Sequence, residues 1–455
     1  MAFKRREGGE EMHYTKQDII HFVEEEDVEF IRLQFTDMFG NFKNMAVTTS
    51  QLEKVLGNEC VFNGSAIEGF MSMQEPDIYL YPDLDTFEIF PWRPQQGKVA
   101  RFICDLYRAD GTPFWGDSRH ILRKVLQQAG ELGYRIKAGP ECEFFLFDLS
   151  QDGSATTQTK EKGGFFDIGP VDSGENARRE MVMTLEEMGF EIEASYHANA
   201  PAQHEIDFRH AGALATADNL MTFRMVVRTI ARRHGLHATF MPKPKSGVEG
   251  SGMHLNFSLH DTGGINLLSD PKEEDGISEV GKYFVAGILE HIGAITAITN
   301  PLVNSYKRLV PGYGAPVYIA WSAAANRTAL VRTGLKNGRV NRIELRCPDP
   351  CANPYLALAV CIAAGMDGII SKLQPPKSVD GNIFEMAQSE RDGLGIKNLP
   401  KDLFSALEAL EQDGLLREVL GEELMGNYLA QKREEWKEYR MSVSAWEVAQ
   451  YIDRF

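Results

Sequence analysis

Glu141 and Glu143, two residues apart in the run Gly139-Pro140-Glu141-Cys142-Glu143-Phe144-Phe145, are the side chains best placed to do chemistry in this sequence. Residues i and i+2 of an extended chain point to one face. Their apolar neighbours predict that this face is partly buried. Like charges held so close are unfavourable unless a cation joins them. Three later segments can supply that cation's other ligands: Gln203-His204-Glu205-Ile206-Asp207, Gly250-Ser251-Gly252-Met253-His254 and Arg342-Ile343-Glu344-Leu345-Arg346. The combination reads as carboxylates and one imidazole around hard divalent metals, with arginines nearby for anions.

The elements that must position these residues follow from periodicity and turn signals. Residues 1–14 lack the apolar stretch of a signal peptide and read as a mobile tail. Residues 15–110 read as a small mixed domain, with a helix at Asp18–Val23 and strands at Phe30–Asp37 and Val99–Tyr107. The turn Arg108-Ala109-Asp110-Gly111-Thr112-Pro113 marks the boundary to a second domain over 114–455. There the pattern predicts a helix from a Ser118 cap to Ala129, a strand over Gly139–Leu149, a loop over 150–164 and a helix over Glu175–Met188. Extended segments follow at 190–196 and 203–208, then a helix over Asp218–His234. Residues 236–241 and 253–259 read as a strand pair. Gly281–Ile298 and Pro354–Leu373 are long apolar helices, the second with Pro favourably near its start. Between them the stretch Leu309–Pro316, rich in Pro and Gly, reads as a surface flap.

With 455 residues the chain exceeds a usual single core, and its 43% hydrophobic and 25% charged residues are those of a globular protein. A net charge of −17 argues against nucleic acid as a partner. No stretch reaches the roughly 18 uncharged apolar residues of a membrane span. Six scattered cysteines without a Cys-x-x-Cys pair point to a reducing, cytoplasmic setting and away from a thiolate zinc site.

Several of these segments, in this order, resemble the bacterial type I glutamine synthetases, from about Tyr14 to Phe455. The resemblance is carried by Thr36-Asp37-x-x-Gly40, Asn63-Gly64-Ser65-Ala66-Ile67-Glu68-Gly69-Phe70, Lys243-Pro244 and the Gly250–His254 run. Asn304–Tyr313 and Ala352-Asn353-Pro354-Tyr355-Leu356-Ala357 complete it. The lack of an extended insertion, and of a modifiable tyrosine loop near 390–405, places it with the shorter, Gram-positive-like branch. The resemblance implies an α+β fold: a small N-terminal β-grasp-like domain and a large catalytic domain with a curved antiparallel sheet surrounded by helices. It implies an ATP-dependent ligase that phosphorylates the side-chain carboxylate of glutamate, after which a nitrogen nucleophile attacks the acyl phosphate. Its cofactors would be ATP and Mg²⁺ or Mn²⁺. Glu141, His254 and Glu344 would hold the metal gripping the ATP phosphates, and Glu143 and Glu205 the metal facing glutamate. Divalent ions serve this chemistry by neutralising charge on the transferring phosphoryl group. Arg327, Arg332, Arg342 and Arg346 match phosphate-facing positions, Arg308 the grip on the α-carboxylate, and Asn256 and Ser258 positions near the nucleotide base. Asp37 and the Asn63–Phe70 segment would reach a neighbour's site in a homododecamer of two hexameric rings.

The sequence departs from that family around the nucleophile. The family pattern His-His-Glu-x-x-Pro-Gly-Gln-His-Glu becomes Tyr196-His197-Ala198-Asn199-Ala200-Pro201-Ala202-Gln203-His204-Glu205, so Ala198 stands where a metal-ligating glutamate is usual. The flap pattern Pro-Gly-Tyr-Glu-Ala-Pro becomes Pro311-Gly312-Tyr313-Gly314-Ala315-Pro316, so Gly314 replaces the glutamate that takes ammonium's proton. Phe165 sits where a tyrosine hydroxyl is usual. Glu249, before Gly250, replaces an asparagine beside the glutamate substrate, and it either repels an acid or recognises an extra amino group. An amine of pKa about 10.4 is only about one part in 2,500 neutral at pH 7, which costs about 4.6 kcal/mol unless carboxylates bind the cation and take its proton. Losing two carboxylates removes that machinery, and each buried CH₂ of a larger amine contributes about 0.8 kcal/mol instead. The expected function is a ligase joining glutamate, or a close analogue, to a bulky or weakly basic organic amine. Two alternatives stand: an ordinary glutamine synthetase using compensating residues, and a non-catalytic regulatory paralogue.

Overall fold

The computed structural model describes residues 13–70, 77–93, 96–324 and 326–455. Helix α1 (Lys16–Glu25) starts at a capping box between Thr15 and Asp18. The strands β1 (Val28–Thr36), β2 (Phe42–Thr48), β3 (Cys60–Asn63), β4 (Asp77–Ile89) and β5 (Lys98–Tyr107) follow, with the short helix α2 (Leu52–Leu56) before β3. They form one sheet of order β2-β1-β5-β4-β3, in which β1 and β5 run parallel, the arrangement of a β-grasp. Residues 1–12 of the expected 1–14 tail lie outside the described residues. Its last two residues are anchored, because His13 and the Tyr14 amide both bond the Asp85 carboxylate.

The second sheet carries the carboxylates. Helix α3 (Ser118–Glu131) leads to the long strand β6 (Arg135–Asp148), and α4 (Glu175–Glu187) to β7 (Ile192–His197), β8 (Gln203–Phe208) and the short β9 (Ala211–Gly212). Helix α5 (Ala213–Arg233) precedes β10 (Leu236–Thr239) and β11 (Met253–His260). The long helix α6 (Glu279–Thr299) and the single turn α7 (Ser305–Arg308) come next. The short β12 (Tyr318–Ile319) and β13 (Trp321–Ser322) then lead to β14 (Val331–Lys336) and β15 (Arg339–Leu345), and α8 (Pro354–Ser371) follows. The sheet runs β13-β14-β15-β11-β6-β8-β7, antiparallel from β14 to β7, with β9 and β10 also on β6.

Several local expectations are corrected. Asp117, not Ser118, caps α3, since its carboxylate accepts from the Arg119 amide. Helix α5 begins at Ala213 rather than Asp218, because the Asp218 carboxylate is taken by Arg119 and Tyr355 and is not a cap. Strands β10 and β11 do not pair with each other. The 14-residue β6 is long enough to bind β11 along one half and β10 along the other. Finally, α8 is long and apolar enough to cross a membrane by length and composition, contrary to expectation, yet 72% of it is buried inside the fold. It packs on α6 at glycine distance: a Cβ at Gly287 would meet the Ala364 carbonyl at 2.0 Å, and one at Gly368 the Tyr283 carbonyl at 2.1 Å.

Two buried polar contacts bind the two sheets together. Asn353 caps α8 and donates to the Asp37 carbonyl at 3.0 Å. The Arg119 guanidinium bridges Asp83 and Asp105 of the first sheet to Asp218 of α5, at 2.7, 2.7 and 2.8 Å. Truncating one partner of such a buried cluster leaves carboxylates unpaired, which costs about 3–5 kcal/mol. Arg119→Met is therefore expected to lower unfolding free energy by about that amount in urea titration. A change below about 1 kcal/mol would contradict it.

Candidate active site

Alternation on four adjacent strands builds one polar face over one apolar face. On β11, Met253, Leu255, Phe257 and Leu259 go into the core, which turns His254, Asn256 and Ser258 the other way. On β6, Cys142 and Phe144 are buried below Glu141 and Glu143, and on β15 Ile343 and Leu345 lie below Arg342, Glu344 and Arg346. Register then sets the neighbours: Glu141 faces His254, Glu143 faces Glu205, and Asn256 faces Glu344.

The outcome is one row of acids with two electrostatic halves. In the first, His254 Nδ1 lies 3.1 Å from Glu141 and 3.3 Å from Glu344, and one ligand atom from each of the three falls within 4.8 Å of the others. Arg332 and Arg346 donate to the two Glu344 oxygens at 2.5 and 3.1 Å, and Asn256 donates to Glu141 at 3.1 Å. Burial opposes charge on Glu344, but His254 and Arg332 outweigh it and hold the carboxyl well below its usual range. His254 is held above its usual value, its burial outweighed by Glu141 and Glu344.

In the second half burial outweighs the nearby cations: Arg308, Arg346 and His254 favour charge on Glu143 without holding its carboxyl down. Burial, then Glu143 and Asp207, push Glu205 up to about 10. Burial and Glu141 raise Asp207 to about 7. Burial raises Glu143 too, although it accepts the Gly252 amide at 2.5 Å. Half-buried Glu143 and Asp207 beside buried Glu205, all three raised above the ordinary carboxyl range, are the donor set of a hard divalent ion. The residues therefore fit the expected metal chemistry.

The glycines of the 250–254 run are dictated by packing: a Cβ at Gly250 would meet the Pro242 carbonyl at 2.1 Å, and one at Gly252 the Arg308 guanidinium at 2.6 Å. Arg308 is buried beside them and donates to the Cys347 carbonyl at 2.7 Å. Arg342 reaches Glu141 only at 4.0 Å, and Arg327 is exposed, with its carbonyl accepting from Arg346. Ser258 bonds His260, two residues on. Glu249 lies in the loop beside Lys243, whose ammonium sits 3.5 Å over the Tyr313 ring and so ties that loop to the flap. Asp37 is not brought to the row within this chain: its carboxylate accepts from the Phe39 and Asn41 amides of its own turn.

The missing carboxylates leave different kinds of room. Gly314 is exposed at φ +72°, and no heavy atom lies within 4 Å of where its Cβ would be. Ala198 is fully buried, so space expected there is already closed over. Phe165 is exposed, with its ring 5.7 Å from Tyr196.

Sequence reasoning passed over two neighbours and one support. Asp207 faces Glu141 across the β6–β8 pair, and the same i+2 rule that linked Glu141 to Glu143 links it to Glu205. Tyr196 faces Glu205 from β7 and donates to Asp207 at 3.4 Å. Behind the row, Glu161 accepts from the Ala202 amide at 2.6 Å and bonds His197 at 2.6 Å, which fixes the turn between β7 and β8. Glu161, Asp172, His197 and His204 cluster there, but Arg178 already provides their cation, 2.8 Å from both Asp172 and His204. Nothing in local spacing signals Glu161, which is 36 residues from His197.

The comparisons agree with this geometry. The glutamine synthetase catalytic domain family matches residues 115–451, and the glutamine synthetase β-grasp domain family matches 27–109. A glutamine synthetase of Clostridium saccharobutylicum is 56% identical over 97% of this chain and 99% of its own. One of Staphylococcus aureus is 52% identical over the same shares. Among solved structures, GmaS in an ADP complex superposes with a TM-score of 0.87 at 32% identity, over 96% of this chain and 99% of that one. The glutamine synthetase of Plasmodium falciparum gives 0.85 at 25%, over 97% and 100%. The β-grasp and the curved sheet are thus those of a known enzyme class, and the chain belongs to the glutamine synthetase family, ATP-dependent carbon–nitrogen ligases that work with ATP and a divalent metal ion, Mg²⁺ or Mn²⁺.

Proposed function

We propose that this chain phosphorylates the γ-carboxylate of glutamate or a close analogue and passes it to an organic amine. The observation that carries the choice of amine is a row that keeps Glu141, Glu143, Glu205, His254 and Glu344 beside a nucleophile pocket without carboxylates at Ala198 and Gly314. Glu141, His254 and Glu344 would hold one ion and Glu143 and Glu205 the other, with Asp207 within reach of both. Arg332 and Arg346, with Arg327 and Arg342, would meet phosphate; Arg308 would meet the α-carboxylate; Asn256 and Ser258 would lie near the base; and Glu249 and Gly250 would lie near the acid.

A second reading, plain glutamine synthesis from ammonia, has its own specific support, and on kinship it is the better supported of the two. The relatives at 56% and 52% identity over nearly the whole chain are named glutamine synthetases. Phosphate release with ATP, glutamate and a panel of ammonia, alkylamines and aromatic amines separates the two. The amine reading expects at least one organic amine to exceed ammonia in kcat/KM by about tenfold. Ammonia exceeding every organic amine sinks it in favour of glutamine synthesis, and no turnover with any nucleophile leaves the regulatory paralogue.

The assembly belongs to the same proposal: a cytoplasmic homododecamer, divided within each subunit at residues 110–114. The C-terminal residues Met441, Val443, Trp446, Ile452 and Phe455 are all exposed, an apolar surface that subunit contacts would cover.

A further inference from the structure

Tyr196 stands at the end of the acid row. Register aligns Glu143, Glu205 and Tyr196 across three strands, and the Tyr196 hydroxyl donates to Asp207 at 3.4 Å. That bond holds the phenol at the edge of the carboxylates. Two further rings meet it. Phe166 lies 5.0 Å and Phe165 5.7 Å from Tyr196, and the two phenylalanines pack edge to face at 4.3 Å.

The backbone holds this trio open. The Phe166 amide donates to the His197 carbonyl at 3.0 Å, and Asp167 closes the turn by accepting the Gly164 amide at 2.8 Å. Phe166 takes φ +64°, an unusual value for a bulky side chain, and its ring remains 63% exposed, that of Phe165 44%. Burial would normally claim two such rings. Here they are exposed beside Tyr196, which lies two residues before Ala198, one of the positions where the family pattern has lost a carboxylate.

We propose that Tyr196, Phe165 and Phe166 form the wall that selects the nucleophile, and that the amine they take carries an aromatic ring. The inference rests on the organic-amine reading above. Offset and edge-to-face packing against three rings favours a flat ring over a saturated one of equal size, and such pairs contribute up to about tenfold in binding. The Tyr196 hydroxyl, tied to Asp207, keeps the wall in register with the acyl phosphate. Tyr196 is thus a positioning and specificity residue.

The test compares benzylamine with cyclohexylmethylamine, amines of similar size and reach, as acceptors for the full-length enzyme, Tyr196→Leu and Phe166→Leu. The readout is the kcat/KM ratio of the aromatic to the saturated amine within each protein. Each constant is taken per neutral amine because benzylamine is the weaker base, so basicity and a general loss of activity both cancel. The wild type is expected to favour benzylamine by about tenfold, and both variants to bring the ratio near one. Phe166 is exposed, so its variant keeps the test alive if Tyr196→Leu fails to fold. Unchanged ratios in a protein that still uses organic amines overturn the wall. If a neighbouring subunit covers the rings instead, ratios stay fixed while the variants alter oligomer size, which also overturns it. A wild type that prefers ammonia overturns the underlying amine reading, and that result appears before any variant is made.

Discussion

Adding Mn²⁺ to the metal-free enzyme at pH 7 is expected to release at least about one proton, and the affinity to rise steeply with pH. Glu205, pushed up to about 10 by burial, Glu143 and Asp207, holds its proton at pH 7 and must lose it to become a ligand. His254, held above its usual value by Glu141 and Glu344, adds to that release when its ring binds metal. Titration calorimetry in two buffers of different ionisation enthalpy counts these protons. Saturation at about 100 times Kd should add about 2.7 kcal/mol of stability. The signs for the metal-free fold follow from the same groups. Glu205 is an acid whose folded value is raised, so its contribution is full below about pH 4.5 and is lost as pH climbs towards about 10. The contribution of His254, also raised, is full below its unfolded value and is lost above it. Glu344 is lowered, so its contribution is present above about pH 4.5 and is lost in acid. The metal-free melting temperature should therefore fall from about pH 6 to 9, and the metal-saturated one should not. Glu205→Gln should remove about one released proton and flatten the metal-free profile. Metal binding with no proton release and no pH dependence would refute this account of the row.

The row was legible in sequence because strand alternation is a local property. Glu141 and Glu143 share a face by the period of two, and His254, Asn256 and Ser258 share one by the same rule. Their meeting across strands depends on register, which spacing along the chain does not supply; in the fold β11 sets His254 opposite Glu141. What stayed hidden has a common cause. Asp207 belongs to the cluster only because β8 lies antiparallel to β6, and Tyr196 only because β7 lies outside β8. Glu161 reaches the β7–β8 turn from a loop without regular structure. The β10–β11 mistake is of the same kind, since two strand-like runs in succession look like a hairpin until a longer strand claims both. Ala198 shows the other limit: sequence reveals the lost carboxylate but not that the fold has closed over the methyl that remains.

Restoring both carboxylates, Ala198→Glu with Gly314→Glu, is expected to raise glutamine formation from ammonium by 100-fold or more in kcat/KM and to depress use of organic amines. The magnitude follows from general acid–base assistance, typically 10²–10⁴-fold, returned to a nucleophile that is almost wholly protonated at pH 7. The two sites will tolerate the change differently. Gly314 has open space around its Cβ, so only its φ of +72° resists, by about 1–2 kcal/mol in an exposed loop. Ala198 is fully buried, and burial already raises the nearby strand carboxyls Glu143, Glu205 and Asp207, so another buried carboxylate there destabilises the metal-free protein. Metal should reverse that penalty, because a further anionic ligand deepens the site. Ala198→Glu should accordingly melt below the wild type in chelator and gain more than the wild type does when Mn²⁺ is added. Glutamine formation at equal rates in wild type and double variant would show that the native pocket already handles ammonium, and ammonia would then be the nucleophile. A gain confined to the double variant would instead tie the choice of nucleophile to these two positions, with the phosphate-activating row unchanged beneath them.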